Sequence, residues 1–251
     1  MSGHSKWSTI KHKKGALDAK RGKLFSKIAK LIINAARRGG GDPDMNLALR
    51  YAIDKAKAAN MTKDTIERAI LKGTGELEGT QLEELLYEGY GPGGVALMVE
   101  ILTDNRNRTA SEIRKTLENR GGSLGSTNCV AWMFSVKGVF VVDASTVGED
   151  KLMEVALEGG AEDLVREGDS FRVTCEPSDF EDVKKALEDA GIVTELAEIQ
   201  RVPSQSVQVD RKHAKRVLDL ISALEDHDDV QNVYSNFDMD EEVMQEVLAA
   251  Q

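Results

Sequence analysis

Residues 138–200 contain, in order, GVFVVDA (138–144), EDKLMEVALEGG (149–160), EDLVRE (162–167), SFRVTCE (170–176), SDFEDVKKALEDAG (178–191) and IVTELAEIQ (192–200). Runs rich in Val, Ile and Phe alternate with runs whose apolar residues recur every three or four positions. The first kind predicts strands and the second amphipathic helices. The order is strand, helix, strand, strand, helix, strand. Glu167-Gly168-Asp169 supplies the turn between the two central strands. This is the split βαβ order of a ferredoxin-like domain, and it marks residues 136–202 as one unit.

The flanks lack a complete unit of their own. LEELLYEGY (82–90) and GVALMVEIL (94–102) predict paired strands around a Gly/Pro turn. TDNRNRTASEIRKTLENRGG (103–122) predicts a helix capped by Asp104 or Asn105, with Ala110, Ile113 and Leu117 inward. CVAWMF (129–134) predicts a buried strand. Beyond Pro203 come one more helix, about 210–225, and one more strand, VQNVYSNF (230–237). Residues 77–135 and 203–240 are therefore expected to form one discontinuous α+β domain, with 136–202 inserted in it.

The first 76 residues differ in kind. The 251-residue chain has a net charge of -10, but residues 1–72 hold 17 Lys and Arg against 6 Asp and Glu, a net of +11. Residues 73–251 hold 16 against 37, a net of -21. A basic head on an acidic body suits a protein that grips a polyanion with one end. Residues 17–38 predict an amphipathic helix with Leu24, Ile28, Leu31, Ile32 and Ala35 on one side. Lys20, Lys23, Lys27, Lys30 and Arg37 form a stripe on the other. Such a row can track a phosphate backbone, and Gly39-Gly40-Gly41 ends the helix. A second helix follows Pro43, capped by Asn46 or Asp44, with Leu49, Ile53 and Ala56 inward. A third begins near Asp64, where Asp64 and Glu67 resemble a capping box, and stops at Gly73. No later helix of the three carries a base-reading set of Arg, Asn and Gln, so backbone or structured-RNA contact fits better than major-groove readout. Residues 1–15 read as a mobile arm whose Lys6, Lys11, Lys13 and Lys14 add to the basic surface. Trp7 either stacks on a base or anchors the arm to the bundle.

Other classes find little support. No apolar run approaches the roughly 20 residues of a membrane span, and the basic start lacks the apolar core of a secretory signal. Two distant cysteines, Cys129 and Cys175, argue against a disulfide framework and fit a reducing compartment. Gly89-Tyr90-Gly91-Pro92-Gly93-Gly94 satisfies G-x-G-x-x-G, but a strand-like run follows where a dinucleotide site needs a helix. It reads as a glycine-rich turn, or as a loop (Tyr90, Gly91, Pro92, Gly93) that approaches a partner closely. Arg106 and Arg108, at a helix start, either hold a phosphate or belong to a capped, solvated turn. His4, His12, His213 and His227 are scattered, so no metal site or cofactor is expected. No Walker motif, nucleophile elbow or His-Glu-x-x-His is present, and nothing supports an enzyme. A phosphate pocket built from the 87–94 loop and Arg106–Arg108 is the one enzymatic alternative.

The motifs GHSKWSTIKHKKGALDAKRGKLFSKIAK, RYAIDKAKAANMTKDTIERAI, YEGYGPGG, TDNRNRTASEIR, GSLGSTNCVAWMF and GGAEDL, in this order, resemble the YebC family over essentially the whole chain. That family includes bacterial proteins labelled probable transcriptional regulators and the mitochondrial translational activator of cytochrome c oxidase. The resemblance implies a helical N-terminal domain and two α+β domains, the third inserted in the second. It also implies a non-enzymatic cytoplasmic protein that binds nucleic acid. The implied partner is DNA, in transcriptional control, or ribosomal RNA, in a ribosome assisted through difficult stretches such as consecutive prolines. The acidic body itself is expected either to keep nonspecific polyanions away or to dock basic protein surfaces, such as those of ribosomal proteins. Two departures stand out. Asn46-Leu47 and Met61-Thr62 occupy places where Asn-Pro and Met-Pro are usual, so each helix start lacks a rigid proline.

Overall fold

The computed structural model describes residues 18–79 and 81–249. Its head is a bundle of α1 (Asp18–Gly39), α2 (Leu47–Ala58) and α3 (Lys63–Thr74). Ile28, Ile32, Ala36, Leu49, Ala56, Met61 and Ile66 fill the core between them. Of the two candidate caps for α2, Asn46 is the one used. Its Oδ1 accepts the Leu49 N–H at 3.1 Å, and its Nδ2 donates to the carbonyls of Ala35 and Gly40 at 2.8 Å each. One buried amide thus joins the end of α1 to the start of α2.

The start and end of α3 differ from expectation. Thr62, not Asp64, precedes the helix, and Thr62 makes no side-chain cap bond. Asp64 lies inside the first turn, where its charge meets the positive end of the helix dipole. Gly73 does not stop the helix. A Cβ there would lie 2.5 Å from the Ile33 carbonyl oxygen and 2.6 Å from Ala36 Cβ, so this glycine lets α3 touch α1. The helix ends at Gly75, in the left-handed region at φ 86°.

The body runs β1 (Glu83–Tyr90), β2 (Ala96–Thr103), α4 (Arg106–Glu118), β3 (Ser123–Leu124), β4 (Phe134–Asp143), α5 (Glu149–Glu158), β5 (Asp163–Glu167), β6 (Ser170–Cys175), α6 (Phe180–Asp189), β7 (Leu196–Pro203), β8 (Val207–Gln208), α7 (Arg211–Glu225), β9 (Val230–Ser235), β10 (Phe237–Asp238) and α8 (Glu241–Ala249). The expected multi-domain α+β class is observed. One antiparallel sheet has the order β3-β1-β2-β9, so chain segments on both sides of the 134–203 stretch share it. A second antiparallel sheet has the order β5-β6-β4-β7, the ferredoxin-like arrangement. β8 and β10 pair in parallel as a small ribbon.

Strand alternation divides the first sheet into two faces. Leu97, Val99 and Ile101 pack under α4, α7 and α8 with Ile113, Leu117, Val217, Ile221 and Met244. Ala96 and Met98 face the other way, onto Val130 and Tyr234. The second sheet buries Phe140, Phe171, Val173, Val183 and Leu187, with Phe140 stacked on Phe180 at 4.8 Å. The head touches both sheets' units. Tyr51 meets Phe180 edge-on at 5.6 Å, Lys55 pairs with Glu198 at 3.0 Å, and Arg38 pairs with Glu84 at 2.7 Å.

CVAWMF is not a strand. Residues 131–133 form a 3-10 turn, and only Phe134 joins a strand. The cause is Glu88, 5% exposed on β1, whose carboxylate accepts the N–H groups of Asn128, Val130 and Ala131 at 2.7–2.8 Å. Those amides are then not available to a ladder. Burial pushes the Glu88 carboxyl up, but the three donors outweigh it and hold the group below the usual carboxylate range. Turning Glu88→Gln puts an NH2 group among N–H donors. It is expected to lower stability by about 2 kcal/mol and to raise amide hydrogen exchange at 128–131; unchanged exchange there would refute the assignment.

Candidate nucleic-acid interface

The lysine stripe begins as a matter of helical periodicity. Lys23, Lys27 and Lys30 fall on one side of α1 because their spacing is four and three, while Ile28 and Ile32 turn into the bundle. In the folded chain this side lies against the far end of the body. Lys23 Nζ donates to the Asp226 carbonyl at 3.1 Å, and Lys27 Nζ donates to the Glu225 carbonyl. Lys30 Nζ donates to the Asp228 carbonyl at 3.2 Å and to Asp229 Oδ1 at 2.6 Å. Glu225 and Asp226 are the last residue and the C-cap of α7. Carbonyls at a helix end lack intrahelical partners and carry the negative pole of the helix. The loop therefore presents a cation with helix carbonyls and carboxylates together.

Asp229 anchors this contact. Its side chain is 4% exposed, and Oδ2 accepts from Arg108 Nη2 at 2.8 Å, Thr109 Oγ1 at 2.7 Å and Thr103 Oγ1 at 3.1 Å. Burial alone would push its carboxyl up. The hydrogen bonds from Lys30, Arg108 and Thr109 outweigh burial and hold it well below the usual carboxylate range. Beside it, His227 Nδ1 accepts the Asp229 N–H at 3.1 Å, so the neutral ring carries its proton on Nε2 and donates it to Glu112 at 2.9 Å. A cleft of about 540 Å³ opens between α1, α4 and this loop, lined by Lys23, Lys30, Asp104, Arg108 and Glu112 among others.

Glu112, His227 and Asp229 bring potential metal-ligand atoms within 4.8 Å of one another. Each of those side chains already holds a hydrogen-bond partner, and Lys30 and Arg108 meet the Asp229 charge. The set fits a charge-neutral polar junction better than a cation cage.

The other residues singled out from the sequence are dispersed. Lys6, Trp7, Lys11, Lys13 and Lys14 lie outside the described residues, as does the Lys20 side chain. Arg37 is exposed in the last turn of α1. Arg108 bonds to Asp104 at 2.9 Å as well as to Asp229, and the Asn105 side chain takes the Arg108 N–H. Carboxylates and a cap thus occupy the positions a phosphate would take there. Arg106 stands exposed one turn-start away. Tyr90 Oη donates to the Cys129 carbonyl at 3.2 Å, Gly91 and Pro92 are buried, and Gly93 is exposed. A strand follows this loop, as its rejection as a dinucleotide site requires. Asp229, His227 and Glu112 escaped the reading of the sequence, because nothing local separates them from the chain's other acids and histidines.

The profile described as the TACO1/YebC second and third domain matches residues 82–237, and that of the TACO1/YebC N-terminal domain matches residues 5–76. The chain belongs to the TACO1/YebC family. It is 58% identical to a protein of Halothermothrix orenii over 98% of this chain and 99% of that one. It is 56% identical to one of Geobacter sulfurreducens over 99% and 100%. Both relatives are named probable transcriptional regulatory proteins. The crystal structure of a conserved hypothetical protein from Aquifex aeolicus superposes with a TM-score of 0.81 at 49% identity, covering 91% of this chain and 94% of that one. No helix among the described residues is long and apolar enough to cross a membrane.

Asp229→Ala leaves Lys30 and Arg108 without their shared partner and is expected to cost about 3 kcal/mol in urea unfolding. The lowered carboxyl stabilises the fold fully above its unfolded value, near pH 4, and that contribution fades as pH falls further. The wild type should therefore lose stability below about pH 4 more steeply than the variant. Parallel acid profiles would contradict the assignment.

Proposed function

We propose that the protein is a nucleic-acid-binding regulator of gene expression that works in the cytoplasm by binding rather than catalysis. The observation that carries this reading is the segregation of charge, +11 in residues 1–72 against -21 in the remainder. The transcriptional names of close relatives support DNA as the partner. A second reading is structured RNA on the ribosome. It is favoured by the character of the basic face, which offers ammonium groups to phosphates and few side chains to base edges.

The docked stripe shapes how such binding proceeds. Lys23 keeps 54% of its side-chain surface exposed, while Lys30 keeps 23%. Phosphates meet the more exposed Lys23 first, and reach Lys27 and Lys30 by displacing the 225–229 loop. The acidic body then acts as a competitor that a weak polyanion does not overcome.

The test is equilibrium binding of the full chain to duplex DNA and to ribosomes across a salt series. Neutralising Lys6, Lys11, Lys13 and Lys14 to Gln should weaken binding at least tenfold. It should also lower the salt slope by about 3, with the melting temperature unchanged. Absence of binding to either partner by the wild type would overturn the reading.

A further inference from the structure

The body is acidic, but one end of α7 is not. It opens Arg211-Lys212-His213-Ala214-Lys215-Arg216, four cations in six residues. Ala214 and Val217 are buried against the sheet, so Lys212, Lys215 and Arg216 point outward and are exposed. Arg211 pairs with Glu246, and His213 pairs with the cap residue Asp210. Lys212, Lys215 and Arg216 make no ion pair among the described residues. Across a cleft of about 820 Å³ from Arg216 stands Arg120, exposed just beyond α4; Asp219 and Asp226 line the same cleft nearer the docked stripe.

The glycine-rich loop sits at the rim of this basic surface. A Cβ on Gly121 would lie 3.8 Å from Pro92 Cγ, and a Cβ on Gly93 would lie 3.8 Å from His213 Cβ. The 92–94 turn is therefore wedged between Arg120-Gly121 and the start of α7. Gly93 and Gly94 are exposed, with φ of 76° and 79°, a conformation that side chains rarely accept. The result is a stretch of bare backbone flanked by cations from α7 and from the turn after α4. Nothing in the packing of the core calls for exposed cations here: Lys212 repels Lys215 three residues on and Arg216 four residues on. A partner with a repeating negative charge relieves that repulsion, and glycines let its backbone come close.

We infer that Arg120, Lys212, Arg216 and the Gly93-Gly94 turn form a second contact for the phosphodiester backbone, separate from the head. The inference rests on the proposed nucleic-acid function and deepens it. A strand held by the head reaches this surface as an intramolecular event, so the two contacts together bind more tightly than either alone. The ligand chemistry is a line of phosphates, which duplex DNA and RNA share.

The test reverses Arg120, Lys212 and Arg216 to Glu in the full chain, with an Ala triple beside it as a milder change. Affinity for duplex DNA and for an RNA hairpin is read by fluorescence anisotropy across a salt series. The Glu triple should weaken binding at least tenfold, and both triples should lower the slope of log affinity against log salt by about 2 to 3. Circular dichroism and melting temperature should stay as in the wild type, since all three side chains are exposed. Wild-type binding with an unchanged slope in both triples overturns the second contact and leaves the head reading standing. Failure of the wild type to bind any nucleic acid overturns the functional proposal itself. Weakened binding with an unchanged slope also refutes the inference, because the lost contact was then not with phosphate.

Discussion

Asp229 is where three separate parts of the chain meet. It follows α7, it is held by Thr103 and by Arg108 and Thr109 of α4, and it receives Lys30 of α1. A buried carboxylate without partners is costly, and here each oxygen has at least one donor. The carboxylate in turn fixes the loop whose carbonyls take Lys23 and Lys27. The charged junction thus ties the head to the first sheet's unit, beside the Arg38–Glu84 pair. Apolar contact between head and body falls elsewhere, at Tyr51 on Phe180.

This arrangement changes the meaning of a basic stripe. On an isolated helix the lysines would all be available to a polyanion. In the folded chain Lys23, Lys27 and Lys30 already meet one, made of a helix end and an acidic loop. Polyanion binding and domain docking draw on the same ammonium groups. On the proposed nucleic-acid function, an acidic body is then more than a solubilising counterweight: it would set the threshold a nucleic acid must exceed. Among the described residues, Lys212, Lys215 and Arg216 at the start of α7 are exposed and meet no such competitor.

Much of this fold is legible in the residues. The strand and helix order of 136–202 rests on local periodicity, and the observed strand order β5-β6-β4-β7 follows from it. The bundle's three helices are equally local, with Asn46 one of two candidate caps for α2. What escapes is non-local. CVAWMF has the composition of a strand, and only the Glu88 carboxylate, forty residues away in sequence, takes its amides. The stripe's acidic partner lies about 200 residues off, in a chain with 37 acids beyond residue 72, so no spacing rule picks it out. The short β3, β8 and β10 are made by pairing alone. α8 did leave a signal, since Val243, Met244 and Val247 recur at helical spacing and pack on the first core.

The most direct measurement is the distance distribution between spin labels on α1 and α4, placed at Gly22→Cys and Glu118→Cys in the intact protein with Cys129→Ser. Pulsed EPR reads it with Asp229 present and with Asp229→Ala. If the charged junction sets the position of the head, the first protein gives one narrow distribution and the second a broad or displaced one. The same narrow distribution in both would contradict the account, and would mean that the remaining contacts, Arg38 with Glu84, Lys55 with Glu198 and Tyr51 with Phe180, hold the head.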